Sequence, residues 1–369
     1  MVFSGLGTAA RMVGFLAALV GLNAVFVSGR VRVHPLLGWA FAFVLWSWAS
    51  FFWSIKPEAT LMRAFTYTQL LLATWLIYHF SVQEDRLKTL MWAYILGTWI
   101  AVLGTFWVYA QGAEVAYRRF AAEGFDPNDL SFYLNLAMVM AWYLGLHNKR
   151  FMKLITWGLI PFASAAVLLT ASRAGALGMI LALVFVLISL NSLSWKWRVL
   201  GLALLLGLGG YLLTAIVPEY SFARLLTIPE ELASGTLNQR TVIWGAGLQV
   251  FSNHPLLGTG AGSFRFAVEP YLGVNTAPHN AFLAVAVEGG IIGLVLWLGM
   301  LAAAFAPMLF RKNSDRVVWT FLLGVLLLAF LSLNFEWRKA SWLTIALAAV
   351  ASAQQRLGEH VKRFKRVAA

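Results

Sequence analysis

Three side chains in this 369-residue chain are cationic or protonatable and stand where a helix should begin. Arg173 lies in Thr170-Ala171-Ser172-Arg173-Ala174-Gly175, and Ser172 is a fitting N-cap for the apolar run that follows. Arg240 follows Asn238, a second good capping residue, and Ile243, Ala246, Gly247 and Val250 are spaced for one face of an amphipathic helix. An arginine in the first turn of a helix opposes the macrodipole, at a cost of a few tenths to about 1 kcal/mol. Combined with free helix N–H groups it makes a good anion site, above all for phosphate. The competing reading of each is an arginine that snorkels to a membrane interface. His279 precedes Asn280, again a capping residue, ahead of a long apolar run. A positive helix end disfavours imidazolium and leaves a neutral ring able to accept a proton near pH 7. The competing reading is a loop histidine bonded to backbone.

Further candidates surround these three. Glu288, in Glu288-Gly289-Gly290, is an acid inside an apolar stretch, where ionisable groups serve function or bond to a neighbouring helix. Asp126-Pro127-Asn128-Asp129 reads as a turn and cap, and Arg118 and Arg119 nearby could add positive charge to an outer cavity. Gly258, Gly260 and Gly262 have no strand-turn-helix context and no Lys-Ser/Thr behind them, so they read as a flexible turn rather than a phosphate loop. His254 before Pro255 reads as turn punctuation. No spacing of histidines and carboxylates suggests a metal site. The absence of cysteine removes disulfides and thiol chemistry.

The elements that must position these residues are membrane spans. The chain is 60% hydrophobic and 12% charged, and runs of about 18 or more apolar residues recur. They predict an all-α polytopic membrane protein with about 11–12 transmembrane helices, eleven of them recognisable, in a single domain spanning residues 1–369. The first apolar run has no convincing small-residue cleavage site and is expected to stay in place. Basic clusters fall in alternate connections, at Arg30/Arg32, Arg86/Lys88, Lys149/Arg150/Lys153, Lys196/Arg198, Arg311/Lys312/Arg316 and along the tail from Arg356. With the acids beside them they account for the whole formal net charge of +13, so that side is expected to be cytoplasmic. The charge is thus a topology signal, and no nucleic acid partner is expected. One polar stretch, residues 218–280, contains all the strongest candidates but Arg173 and is expected to be a large periplasmic loop with short helices. Arg173 and Arg240 are expected to line one cavity on that side.

The order of motifs resembles a known family. Asp126-Pro127-Asn128 before a span, Ser172-Arg173-Ala174-Gly175 between spans, and Asn238-Gln239-Arg240 followed by Trp244 come first. His254-Pro255-x-x-Gly258-x-Gly260-x-Gly262-x-Phe264 and His279-Asn280-x-Phe282-Leu283 leading to Glu288-x-Gly290 follow, with Trp53-Ser54-Ile55-Lys56-Pro57 as an early element. Together, over roughly residues 35–350, they are similar to the bacterial O-antigen ligase and O-antigen polymerase superfamily. The resemblance implies an undecaprenyl-pyrophosphate-linked glycan donor and a lipid A core or glycan acceptor. It further implies a metal-independent single displacement with inversion at the periplasmic face of the inner membrane, without a cofactor. It maps pyrophosphate binding onto Arg173 and Arg240 and catalysis onto His279. The departure is a short loop, with about forty residues between Arg240 and His279.

Two other readings remain. A polymerase would join repeat units instead of loading a lipid A core. A transporter or flippase would also need an outer cavity, but internal repeats and helices broken at mid-membrane are its signature, and neither is evident in the sequence.

Overall fold

The computed structural model describes residues 4–82, 86–115, 118–226, 239–310 and 315–367. In chain order the helices are α1 (Ser4–Ser28), α2 (Pro35–Ala49, continued by a 3₁₀ turn Ser50–Trp53), α3 (Pro57–Ser81), α4 (Leu87–Ala110), α5 (Pro127–His147), α6 (Arg150–Leu169), α7 (Arg173–Ser189), α8 (Trp195–Leu202), α9 (Gly209–Ile216), α10 (Glu219–Leu226), α11 (Arg240–Asn253), α12 (Phe264–Leu272), α13 (Ala281–Leu309), α14 (Arg316–Ser332) and α15 (Lys339–Val367). No strand occurs among the described residues. The protein is an all-α polytopic membrane protein. Among the described residues five helices are long and apolar enough to cross a bilayer: α2 with its 3₁₀ turn, α4, α5, α6 and α13. Each of the eleven expected spans falls on helix, but the one at 199–217 is divided into α8, a π-helical turn Ala203–Leu208 and α9. Four glycines within residues 201–210 explain this, since each costs a helix interior about 1 kcal/mol.

The chain forms two compact units. The first comprises residues 1–9, 88–234 and 317–329. Its centre is α5, buried along almost its whole length against α6 and α7. Trp142 of α5 stacks on Trp157 of α6 with centroids 4.7 Å apart, and buried Asn135 donates to the Gly175 carbonyl at 2.8 Å. Ala165 and Leu168 of α6 pack on Leu212 and Val217 around the end of α9.

The second unit comprises residues 10–87, 235–316 and 330–369. Here α13 packs on α2 and α15, and α3 packs on the same two helices. Trp297 of α13 is fully buried between Phe282 and Phe330, at 5.3 and 4.9 Å. The short helices α11 and α12 rest on the start of α13 through Ala246, Val250, Phe264, Ala267, Val268 and Val287. The polar stretch 218–280 thus contains three described short helices, α10 in the first unit and α11 and α12 in the second.

Candidate functional site

In the second unit, Arg240 is the first residue of α11, half-buried, and the apolar face read from the sequence is the one that packs: Ala246, Gly247 and Val250 are buried. The cap differs from expectation. Asn238 lies outside the described residues, and the position before Arg240 is Gln239, in the left-handed region at φ 63° with no side-chain capping bond. One turn beyond Arg240, Trp244 donates its indole N–H to the carbonyl of Pro278 at 2.8 Å. The next residue is His279, half-buried and also left-handed at φ 47°. A bulky residue held there costs about 1–3 kcal/mol and persists only where its surroundings over-determine it. Asn280 follows as the N-cap of α13, its side chain accepting from the Leu283 N–H at 3.0 Å.

The glycine-rich segment is not the flexible turn its composition suggests. Gly258, Gly260 and Gly262 are all left-handed, at φ 70°, 104° and 77°. A Cβ on Gly258 would stand 2.5 Å from the Glu288 backbone. The segment plugs a break in α13, where Gly290 leaves helical geometry at φ 65° and ψ −169°. Thr259 N–H donates to the Val287 carbonyl at 2.9 Å, Gly260 N–H to the Glu288 carbonyl at 2.9 Å, and Ile291 N–H to the Pro255 carbonyl at 2.8 Å. Trp46 of α2 donates its indole N–H to the Gly289 carbonyl at 2.8 Å. The Trp53–Pro57 element braces the outside: Ile55 N–H donates to the Thr259 carbonyl at 3.1 Å and Trp53 Nε1 to the Leu257 carbonyl at 3.2 Å. The sequence reading saw no broken helix, so α13 corrects it. Yet the groups freed at this break are taken up by protein, which is not how a transporter's broken helix exposes them to an ion or substrate.

Glu288 has a specific task here. Its carboxylate accepts the N–H groups of Gly262 at 2.7 Å and Phe264 at 3.4 Å, tying the loop and the start of α12 to α13. Its partners are thus backbone N–H groups of the glycine-rich loop and of the first residue of the neighbouring helix α12.

Arg63 and Glu336 escaped the sequence reading. Arg63 Nη1 of α3 lies 3.0 Å from Glu336 Oε1, in the segment between α14 and α15, with the carboxylate side chain wholly buried. The guanidinium also lies 4.8 Å from the Trp337 ring centroid and is electrostatically coupled to Glu288. Burial outweighs the Arg63 charge and pushes the Glu336 carboxyl up to about 7. The only cue in the sequence was an arginine inside an apolar run, whose partner is 273 residues away. Arg63→Met strands two buried acids and should cost about 3–5 kcal/mol. Glu336→Gln should cost clearly less, because a neutral amide resembles the protonated carboxyl that burial favours. Thermal unfolding midpoints in detergent check this, and equal losses would refute the asymmetry.

In the first unit, Ser172 caps α7, accepting the Gly175 N–H at 3.2 Å, and Arg173 is the first helical residue, half-buried. Ala171 before the cap is left-handed at φ 47°. Arg119 braces this turn, its Nε donating to the Thr170 carbonyl at 2.8 Å and its Nη2 to Asn128 Oδ1 at 2.7 Å. Burial and the neighbouring Arg224 pull Arg119 down to about 10, with Asp126 opposing, so it stays a cation at neutral pH. Its guanidinium hydrogen bonds are therefore made to protein. Arg118 is exposed, its backbone N–H on the Glu114 carboxylate at 3.0 Å and its guanidinium 5.7 Å from the Tyr220 ring centroid. Asp126 caps α5, accepting the N–H groups of Asn128 at 2.8 Å and Asp129 at 3.3 Å. Among the described residues no group of three histidines, cysteines or carboxylates could hold a metal ion.

The second unit thus joins Arg240, His279, Asn280 and Glu288 through α11, α12 and α13, and the first groups Arg118, Arg119, Asp126 and Arg173 around the α6–α7 turn. Residues 158–298 match the family described as O-antigen ligase. Over 235 residues, 63% of this chain and 54% of the relative, the sequence is 29% identical to an O-antigen ligase of Pseudomonas aeruginosa. Over 301 residues, 75% of this chain and 66% of the relative, it is 24% identical to the Exopolysaccharide production protein ExoQ of Rhizobium meliloti (strain 1021). The match therefore spans little more than half of the first relative's length and about two thirds of the second's. The ordered motifs and the all-α membrane fold agree with these similarities, which support a likeness to the superfamily of O-antigen ligases and polymerases.

Proposed function

We propose that this protein is a bacterial inner-membrane glycosyltransferase of polysaccharide synthesis. It moves a glycan from an undecaprenyl-pyrophosphate donor onto a hydroxyl of an acceptor, the lipid A core, at the periplasmic face. The observation that carries this reading is the helix α11, which presents Arg240 at its first residue and is hydrogen-bonded one turn later to the residue before His279. His279 takes the proton of the acceptor hydroxyl. The acceptor oxygen forms a bond to the anomeric carbon while the bond from that carbon to the pyrophosphate oxygen breaks, which inverts the centre. Arg240 and Arg173 bind the pyrophosphate and meet the negative charge that grows on it as it leaves. This assignment asks nothing of a divalent ion.

The polymerase reading stands beside it on two observations, the similarity to a protein named for exopolysaccharide production and the short loop. Purified protein incubated with the lipid-linked glycan, with and without lipid A core, separates the two. Ligated lipid A supports ligation, chains lengthened without a second acceptor support polymerisation, and neither product refutes transfer. Excess EDTA should leave the rate unchanged, and loss of activity restored by Mg²⁺ or Mn²⁺ would overturn the arginine assignment.

A further inference from the structure

Trp244 belongs to the motif that follows Arg240, yet nothing so far gives it a part in the reaction. Its indole N–H to Pro278 carbonyl bond, at 2.8 Å, joins α11 to the residue preceding His279. Pro278 is buried and its ring fixes its own φ, so the carbonyl's direction sets the peptide plane on which His279 begins. His279 then turns into the left-handed region at φ 47°, and Asn280 returns the chain to the N-cap of α13. His279 is therefore bracketed by an indole on one side and a cap on the other. Were the indole bond lost, relaxation to negative φ would swing the Cα–Cβ bond and carry the imidazole with it. Trp244 is also four residues after Arg240, one turn along the same face of α11. The helix that presents the arginine therefore also holds the backbone of the histidine.

We propose that Trp244 is a positioning residue for the reaction: its indole N–H fixes the backbone of His279 and, through the rigid turn between residues 240 and 244, the placement of the general base relative to Arg240. This rests on the catalytic reading given above. Trp46 provides an internal comparison, because it makes an indole-to-carbonyl bond of the same length, to Gly289, away from His279 in sequence.

The test is to replace Trp244 site-specifically by 3-benzothienylalanine, which keeps the bicyclic ring and removes the N–H donor, alongside Trp244→Phe and Trp46→Phe. Two quantities are read: transfer kinetics with the lipid-linked glycan, and the rate at which diethylpyrocarbonate modifies His279, followed by mass spectrometry. The benzothienyl variant should lose about 10- to 100-fold in kcat, as expected for a reacting group displaced by about 1 Å. Its donor KM should stay within about twofold and its His279 labelling rate should change by about threefold or more, whereas Trp46→Phe should leave His279 labelling as in the parent. If the parent protein transfers no glycan but the benzothienyl variant still alters His279 labelling, the tether stands and the catalytic reading fails. Unchanged labelling, or changed labelling with unchanged kcat, rejects the positioning role. The isosteric variant keeps the packing, so the test holds even if Trp244→Phe fails to fold.

Discussion

Arg240→Ala and Arg173→Ala are each expected to lower glycan transfer by about 10²–10³-fold while the folded protein is recovered in normal yield. That range is what one donor aimed at developing charge is worth in other active sites. Each arginine is the first residue of its helix, at the end where the dipole disfavours a cation. Removing such a charge should not weaken the helix, so a loss confined to activity points to a ligand and not to packing. Lysine at either position should restore only part of the rate, because a single ammonium lacks the fork that matches phosphate oxygens. Donor affinity, measured with the lipid-linked glycan in detergent, should fall along with the rate. Full activity in both alanine variants would remove the pyrophosphate clamp.

His279→Ala should behave differently. Turnover should drop by about 10²–10⁴-fold, the usual contribution of a positioned base, while donor affinity stays close to that of the parent. The pH–rate profile of the parent should fall on the acid side, because only the neutral ring can accept a proton from the hydroxyl. The left-handed backbone adds a control. His279→Gly should lose turnover as fully as the alanine variant yet melt higher than it, since glycine meets no penalty at φ 47°. His254→Ala should change turnover far less, for His254 ends α11 at its C-terminus, away from the arginine. If His279→Ala loses donor affinity but turns over normally at saturation, the histidine binds phosphate. The base would then be another group, with Asp126 and Glu288 the first to examine.

What could be read from sequence was what depends on near neighbours. Ser172, Asp126 and Asn280 cap helices as their residue types indicate, because a cap bond reaches only two or three residues along the chain. The buried stripe of α11 followed from its spacing. What could not be read depends on distant partners. Glycines at 258, 260 and 262 look alike whether a turn waves free or plugs a helix, and only the Gly290 break 30 residues later distinguishes the two. Arg63 looked like any cation near a span end until Glu336 came beside it. The left-handed residues Gln239 and His279 are set by contacts in space, since positive φ is uncommon for any residue with a side chain and no local pattern marks these two for it.

The plugged break in α13 also bears on biogenesis. Residues 255–260 are translated before the helix they complete, so when the backbone around Gly289 enters the bilayer, the strip that will satisfy it has already left the ribosome. Insertion of α13 and docking of that strip should therefore be a single concerted event, and the two halves of α13 need never face lipid with bare amides. Loop exchange aimed at a new acceptor should accordingly leave residues 254–264 intact. Variation is better directed to residues 274–277, which are exposed or half-buried, with Gly273 kept because its backbone is left-handed at φ 68°.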